Sequence, residues 1–237
     1  MPELSLEALE KRRDALETRI MLACKACQRP RESVTLIWVS KFHPITSVEK
    51  AIQLGAKEFG ENRVQEAIEK FSTPRSGIHC HIIGPIQANK LRKAILVADS
   101  IHSIASLDAI HKLESICAET GKILDILIQV NTSEEDTKSG ITMAETESFL
   151  LRLPEAPHLR YRGLMTIGKN TGIAEDSRAG FRFLREMRDK MHAVGGLFEN
   201  FSELSMGMTE DLEVAIEEGA TLIRVGTALF GERALLI

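Results

Sequence analysis

Several things are scarce in this sequence of 237 residues, and each scarcity excludes something. Cysteine occurs four times, at Cys24, Cys27, Cys80 and Cys117, too sparsely for the disulfide framework of a small secreted domain. Cys24 and Cys27 form a C-x-x-C, but it closes a helix instead of following a strand and has no second ligand pair. It reads as ordinary reduced thiols. No apolar run approaches the ~20 residues of a membrane span. The amino-terminal MPELSLEALEKRRDALETRI is an amphipathic helix without a signal-peptide core. Charge of one sign is also scarce: the formal net charge is −4, with both signs interspersed, which weighs against a phosphate-backbone binder. Lys11-Arg12-Arg13 reads as a solvated helix face, and Lys90, Arg92 and Lys93 have no aromatic platform for bases beside them. A cytoplasmic chain with neither nucleic acid nor membrane as partner is expected. No heptad repeat calls for a dimer, so a monomer is expected too.

What is present is alternation. Val- and Ile-rich runs predict strands near Leu36 to Ser40, Glu58 to Asn62, Cys80 to Gly84, Ser100 to Ala105, Ile123 to Asn131, Tyr161 to Ile167, Glu203 to Gly207 and Thr221 to Gly226. Helical periods lie between them, the clearest at Ser47 to Leu54, Ala88 to Ala98, Leu107 to Thr120, Glu175 to Val194 and Glu210 to Glu218. Eight such units fit a (β/α)₈ barrel of the TIM type. A doubly wound sheet usually has fewer strands and a glycine-rich first turn, which is missing. One domain is expected: a helix at about 5–27, then a barrel at about 34–233. Almost no chain follows the eighth strand, so the first helix is expected to cover the place of a last barrel helix. Val48 to Ala56 also matches Leu212 to Ala220 without gaps, each a helix stopped by glycine before a strand. That register sets Lys41 opposite Ser205 and Asn62 opposite Gly226, all at the carboxyl ends of strands, where barrel active sites are built.

Two stretches carry chemistry. In LIWVSKFHP (Leu36 to Pro44) a strand that reads as buried ends in an amine. Alternation puts Ile37, Val39 and Lys41 on one face and Leu36, Trp38 and Ser40 on the other. If the first set fills the barrel, Lys41 stands at its mouth, where partial desolvation favours the free amine that attacks an aldehyde. The plainer alternative is a lysine that snorkels outward to a carboxylate such as Glu61. In RVGTALFGER (Arg224 to Arg233) small residues and a hydroxyl run into a short helical turn, which suits a phosphate. The preceding strand ends in a similar turn, Ser205-Met206-Gly207. A lysine that forms Schiff bases, joined to a phosphate cradle, permits a sugar phosphate or pyridoxal phosphate. The acidic run Glu134-Glu135-Asp136 reads as a surface loop, with no metal site.

Ser40-Lys41 with Pro44, FGENRVQE (59–66), HIIGPIQANK (81–90), QVNTSEEDTKSGI (129–141), RGLMTI (162–167), LSMGMTED (204–211) and RVGTALFGER together resemble the pyridoxal phosphate homeostasis family. Arg63 stands where that family often has tyrosine, and Ile82 replaces a common phenylalanine. The resemblance implies a barrel like the amino-terminal domain of alanine racemase, with Lys41 holding pyridoxal phosphate as a Schiff base. It implies Ser205, Gly226 and Thr227 at the phosphate, Arg224 at the pyridine nitrogen and Asn62 against the ring, with Met206 and His81 nearby. An arginine beside that nitrogen disfavours its protonation and makes the cofactor a weak electron sink. The residues show no acid–base pair, the only tyrosine, Tyr161, begins a strand at the far end, and no second domain is expected after the barrel. The expectation is a protein that buffers the cofactor or delivers it transiently to apoenzymes, with no catalytic residue of its own. A weak amino-acid racemase and a Schiff-base sugar-phosphate aldolase are the alternatives.

Overall fold

The structure is a computed structural model that describes residues 4–74, 76–133 and 139–231. Strands β1 (Thr35–Val39), β2 (Glu58–Glu61), β3 (His79–Ile82), β4 (Ser100–Ile104), β5 (Leu124–Asn131), β6 (Ile141–Thr142), β7 (Leu159–Met165), β8 (Glu203–Ser205) and β9 (Leu222–Val225) form one parallel sheet. It is ordered β4-β3-β2-β1-β9-β8-β7-β5, and a β4–β5 pairing closes it into an eight-stranded barrel. All eight expected strands are therefore present. The unexpected one is β6, two residues long and hydrogen-bonded only to the end of β5, with Val130 opposite Ile141.

Helices α1 (Leu6–Ala26), α2 (Ile45–Gln53), α3 (Val64–Phe71), α4 (Leu91–Ala94), α5 (Leu107–Thr120), α6 (Met143–Leu150), α7 (Arg178–Val194), α8 (Leu212–Glu217) and α9 (Thr227–Phe230) connect the strands. Local chemistry sets their ends. The Ser5 and Ser106 hydroxyls accept from Ala8 N and Ala109 N at the starts of α1 and α5, and Thr142 with Glu145 makes a capping box on α6. Helix α1 packs on α8 and α9, where it takes the place of a helix after the last strand. Arg29, in the connection after α1, donates to the carbonyls of Ile216 and Ala220. No helix among the described residues is long and apolar enough to cross a membrane.

The echo between the second and eighth units is structural. Ala56 N donates to Ala51 O and Gly55 N to Ile52 O; 164 positions later, Ala220 N donates to Ala215 O and Gly219 N to Ile216 O. Both glycines are left-handed, at φ 90° and 97°. The same chain reversal delivers β2 and β9 to the barrel with the same phase.

Strand alternation divides the buried residues into two sets. Outward-facing Leu36, Trp38, Phe59, Ile82, Ile101, Ile126, Leu164, Leu204 and Ile223 pack with the helices in one continuous apolar shell. Ile37, Val39, Leu127 and Met165 are equally buried but lie outside that shell, in the lumen. The expected facing of β1 holds, and Lys41 follows Ile37 and Val39 to the inside. The acidic run Glu134 to Asp136 and Arg233 at the end of the last motif lie outside the described residues.

Candidate functional site

The carboxyl ends of the strands surround a cavity of about 650 Å³, within the ordinary range for small-molecule sites. It is lined by Val39, Lys41, Asn62, Ile83, Gly84 and Gln129, and by Arg224, Gly226, Thr227 and Asp211, the last strand standing directly beside the Lys41 strand because β9 pairs with β1; the loop 167–174 after β7 also lines it. Five of the eight residues singled out from sequence therefore meet here: Lys41, Asn62, Arg224, Gly226 and Thr227. His43 also lines the cavity and packs on Phe230 with ring centroids 5.1 Å apart. Burial first, and then the Lys70 charge, lower its pKa.

Each position has a local cause. Asn62 follows β2 directly, and its backbone is crossed so closely by the β3 turn that a Cβ on Gly84 would lie 2.4 Å from the Asn62 carbonyl oxygen. Gly84 is thus required by close approach. Gly226 leaves β9 beside the Val39 carbonyl, 3.1 Å from where its Cβ would stand. The one-turn helix α9 then begins, and the amides of Thr227 and Ala228 stand at its start, where no intrahelical carbonyl is available. Phe230 anchors that turn edge-on against Trp38, with centroids 6.0 Å apart.

Three of the expected residues, Met206, His81 and Ser205, do not line the cavity. Met206 is fully buried in the apolar shell, because alternation after Ser205 turns it outward. His81 does face inward, but lower in the barrel; Ile83, two residues on, occupies that strand's place at the mouth. The Ser205 hydroxyl is also below the cavity, 2.8 Å from Arg224 Nη1 and 2.9 Å from His102 Nδ1. Glu61, the carboxylate considered as a partner for Lys41, faces the helix shell, where it accepts from Ser40 Oγ at 2.6 Å and Lys70 Nζ at 2.8 Å. Parity explains this as well: Lys41 and Glu61 project from opposite faces of the barrel wall.

Arg224 is the electrostatic centre of the site. It is buried, donates to Ser205 Oγ and, through Nη2, to the Thr166 carbonyl at 2.7 Å. Burial lowers its pKa to about 10, against the attraction of Asp211, so it is charged at neutral pH. Asp211 accepts from Met208 N at 2.7 Å, and burial raises its pKa despite that bond and Arg224.

Beneath Arg224 a hydrogen-bond chain that sequence reasoning missed crosses the lumen. It runs Ser205 Oγ, His102 Nδ1 and Nε2, Ser100 Oγ, His81 Nδ1 and Nε2, and Glu58 Oε2, with links of 2.9, 2.9, 2.6 and 2.8 Å. A guanidinium only donates, so Ser205 accepts from Arg224, and its own proton is available to His102 Nδ1; a chain run in that direction assigns the remaining donors. His102 is fully buried, and burial pushes its pKa well below the ordinary value; in this direction it is neutral, carries its proton on Nε2 and donates to Ser100. Ser100 donates to His81, and His81 to Glu58. At the foot, burial raises the Glu58 pKa, but its bonds to His81 and His79 outweigh this and lower it.

Comparison with known proteins fits this geometry. The alanine racemase N-terminal domain family model matches residues 12–234, and the chain belongs to that family. Within it, the chain is similar to the pyridoxal phosphate homeostasis proteins. That of Vibrio alginolyticus is 36% identical over 233 residues, covering 96% of this chain and 99% of the relative. That of Escherichia coli K12 is 36% identical over 219 residues, covering 91% and 92%. The solved structure of PipY from Synechococcus elongatus with PLP bound superposes with a TM-score of 0.81 at 35% identity, over 94% of this chain and 100% of that one.

Proposed function

We propose that this chain is a single-domain pyridoxal phosphate-binding protein that holds the cofactor reversibly on Lys41 and buffers or delivers it. The observation that carries the reading is the meeting, in one cavity, of a primary amine, a buried arginine and a glycine–threonine helix start. Pyridoxal phosphate has an aldehyde, a ring nitrogen and a phosphate, and the residues present fit all three. Lys41 supplies the amine. Gly226, kept small by the Val39 carbonyl, and Thr227 with its amide and hydroxyl suit the phosphate. Arg224, charged and fixed by Ser205 and Thr166, suits an unprotonated ring nitrogen. Asn62 stands on the Lys41 side of the cavity, against the ring. Ser205 acts from below, as the residue that orients Arg224, and His81 and Met206 support the barrel around it.

When bound, the cofactor brings an aldehyde that condenses reversibly with a primary amine. The chain's own contribution is to bind, orient and release. Tyr161, one possible acid, is instead buried among the shell residues, where its hydroxyl donates to the Pro154 carbonyl. The reading extends to transient delivery by a cytoplasmic monomer to apoenzymes that use the same cofactor.

The test is the visible spectrum of the purified protein with and without pyridoxal phosphate, followed by borohydride reduction and peptide mapping. A new visible band and a phosphopyridoxyl mass on the peptide containing Lys41 are expected. An unlabelled Lys41 overturns the reading. Steady turnover of alanine or serine to the opposite enantiomer would replace it with the racemase alternative.

A further inference from the structure

Behind the cavity wall, where α3 meets the ends of β1 and β2, the mostly apolar shell holds a buried charge cluster. Lys70, 6% exposed, sits there between Glu61, 0% exposed, and Glu66. Its ammonium donates to Glu61 Oε1 at 2.8 Å and to the Ser40 carbonyl at 2.8 Å, with Glu66 Oε2 at 3.6 Å. Glu66 Oε2 in turn accepts from the Phe42 amide at 2.7 Å. The residue between those two backbone contacts is Lys41.

Stability alone does not account for this cluster. A buried ion pair is commonly no better than apolar residues of the same volume, and here Glu61 Oε2 is buried with no hydrogen-bond partner, which adds a cost. The backbone at Phe42 is also left-handed, at φ 66°, an unfavourable state for a residue with a side chain that persists only where its surroundings fix it. The first cost lies in the pair that holds the peptide carbonyl before Lys41, and the second on the residue after it.

We propose that Lys70 and Glu66 are positioning residues for Lys41. Lys70 fixes the carbonyl before it and Glu66 the amide after it, so that the lysine leaves the strand at one angle and its amine reaches the cavity from one direction. Glu61 ties Lys70 to β2 one residue before Asn62, which gives the Lys41 and Asn62 walls a common brace. The proposal rests on the reading of Lys41 as the cofactor's amine, and its test separates the two.

The probe is pyridoxal, which lacks the phosphate and so reports on the amine alone; it is trapped with borohydride and the Lys41 peptide is quantified over time. Lys70→Met strands two carboxylates and risks misfolding. The double variant Lys70→Met with Glu61→Leu replaces the pair by apolar groups, and is expected to stay folded with a thermal midpoint lowered by the lost Ser40 contacts, while labelling at Lys41, read well below that midpoint, slows by about tenfold or more, the scale of a misplaced reacting group. Glu66→Ala is expected to slow labelling and to speed hydrogen exchange at the Phe42 amide in protein without cofactor. Glu66→Gln, which can still accept from that amide, should restore both. Wild-type labelling rates in the double variant and in Glu66→Ala would overturn the positioning role. Absence of Lys41 labelling in the wild type would overturn the cofactor reading, while the exchange rate at Phe42 still decides whether the brace exists.

Discussion

The two faces of the barrel wall are built from opposite materials. Outside, strand residues such as Phe59, Ile101 and Ile223 join the helices in a shell in which side chains are completely buried. Inside, where barrels of this architecture usually stack branched aliphatics, a few apolar residues share the lumen with Glu58, His81, Ser100, His102, Ser205 and Arg224 in a connected chain. Apolar area is non-directional and supplies most of the folding free energy. Hydrogen bonds contribute little net energy but fix orientation, and are costly when broken on one side. The shell therefore sets stability, while the lumen sets where one charged guanidinium points.

The largest expected effect breaks the shell. Phe59→Ala removes a fully buried ring that packs 5.6 Å, centroid to centroid, from Phe71, and should cost ~3–5 kcal/mol. Urea unfolding reads this directly. While the variant remains folded, trapping of pyridoxal phosphate at Lys41 should proceed as in the wild type, because nothing in the lumen has changed. A stability loss under 1 kcal/mol would show that the shell is not the main reservoir.

The division between the faces also decides what could be read from sequence. The eight barrel strands were legible because short apolar runs, β-branched in β1, β4, β5 and β9, alternate with helical periods; β2 and β8, EFGE and ELS, were placed by that alternation and not by their composition. β6 was not, since a two-residue strand has no period and exists only through its pairing with β5. Helix α3 has an amphipathic period in Val64, Ala67 and Phe71, and what its sequence did not reveal is that Lys70, charged and beside them, is buried with them. Lys41, Arg224, Gly226 and Thr227 were visible as chemistry, and alternation correctly turned Lys41 inward. The same rule, applied one step further, would have turned Met206 outward. His102 gave no local signal: its link to Ser205 spans 103 positions and appears only once the barrel closes.

A smaller effect is expected from the lumen itself. His102→Leu leaves the Ser205 proton and the Ser100 acceptor without their partner and should cost about 1–3 kcal/mol. His102→Asn, whose oxygen can take the Ser205 proton in place of Nδ1, should recover part of that. The histidine also carries a pH signature. Its folded pKa lies well below the ordinary 6.5, so the unfolded chain takes up a proton that the folded one refuses. Stability from this group is intact above about pH 6.5 and is lost as pH falls from there toward the folded pKa, by at most about 1.4 kcal/mol per pH unit. Urea midpoints at pH 7.5 and 5.5 should fall further for the wild type than for His102→Asn. Equal drops would mean that His102 accepts the proton while folded, and that the chain does not run from Arg224 downward.

The smallest effect sharpens the comparison between the two echoed units. Gly55 and Gly219 have the same left-handed turn and the same pair of closing hydrogen bonds, but different surroundings. A Cβ at Gly55 meets nothing within 4 Å, whereas one at Gly219 would stand 3.4 Å from Arg185 Cδ, at ordinary van der Waals distance. Neither neighbourhood adds a clash, so Gly55→Ala and Gly219→Ala should each cost only the backbone penalty, roughly 1–2 kcal/mol. Agreement between the two within about 0.5 kcal/mol, the scatter expected of independent sites, would show that the repeated glycine answers to backbone conformation. A Gly219→Ala cost larger by several kcal/mol would place the strain at Arg185, whose guanidinium pairs with Glu218 at 3.0 Å. In that case the two units would share a sequence pattern for different physical reasons.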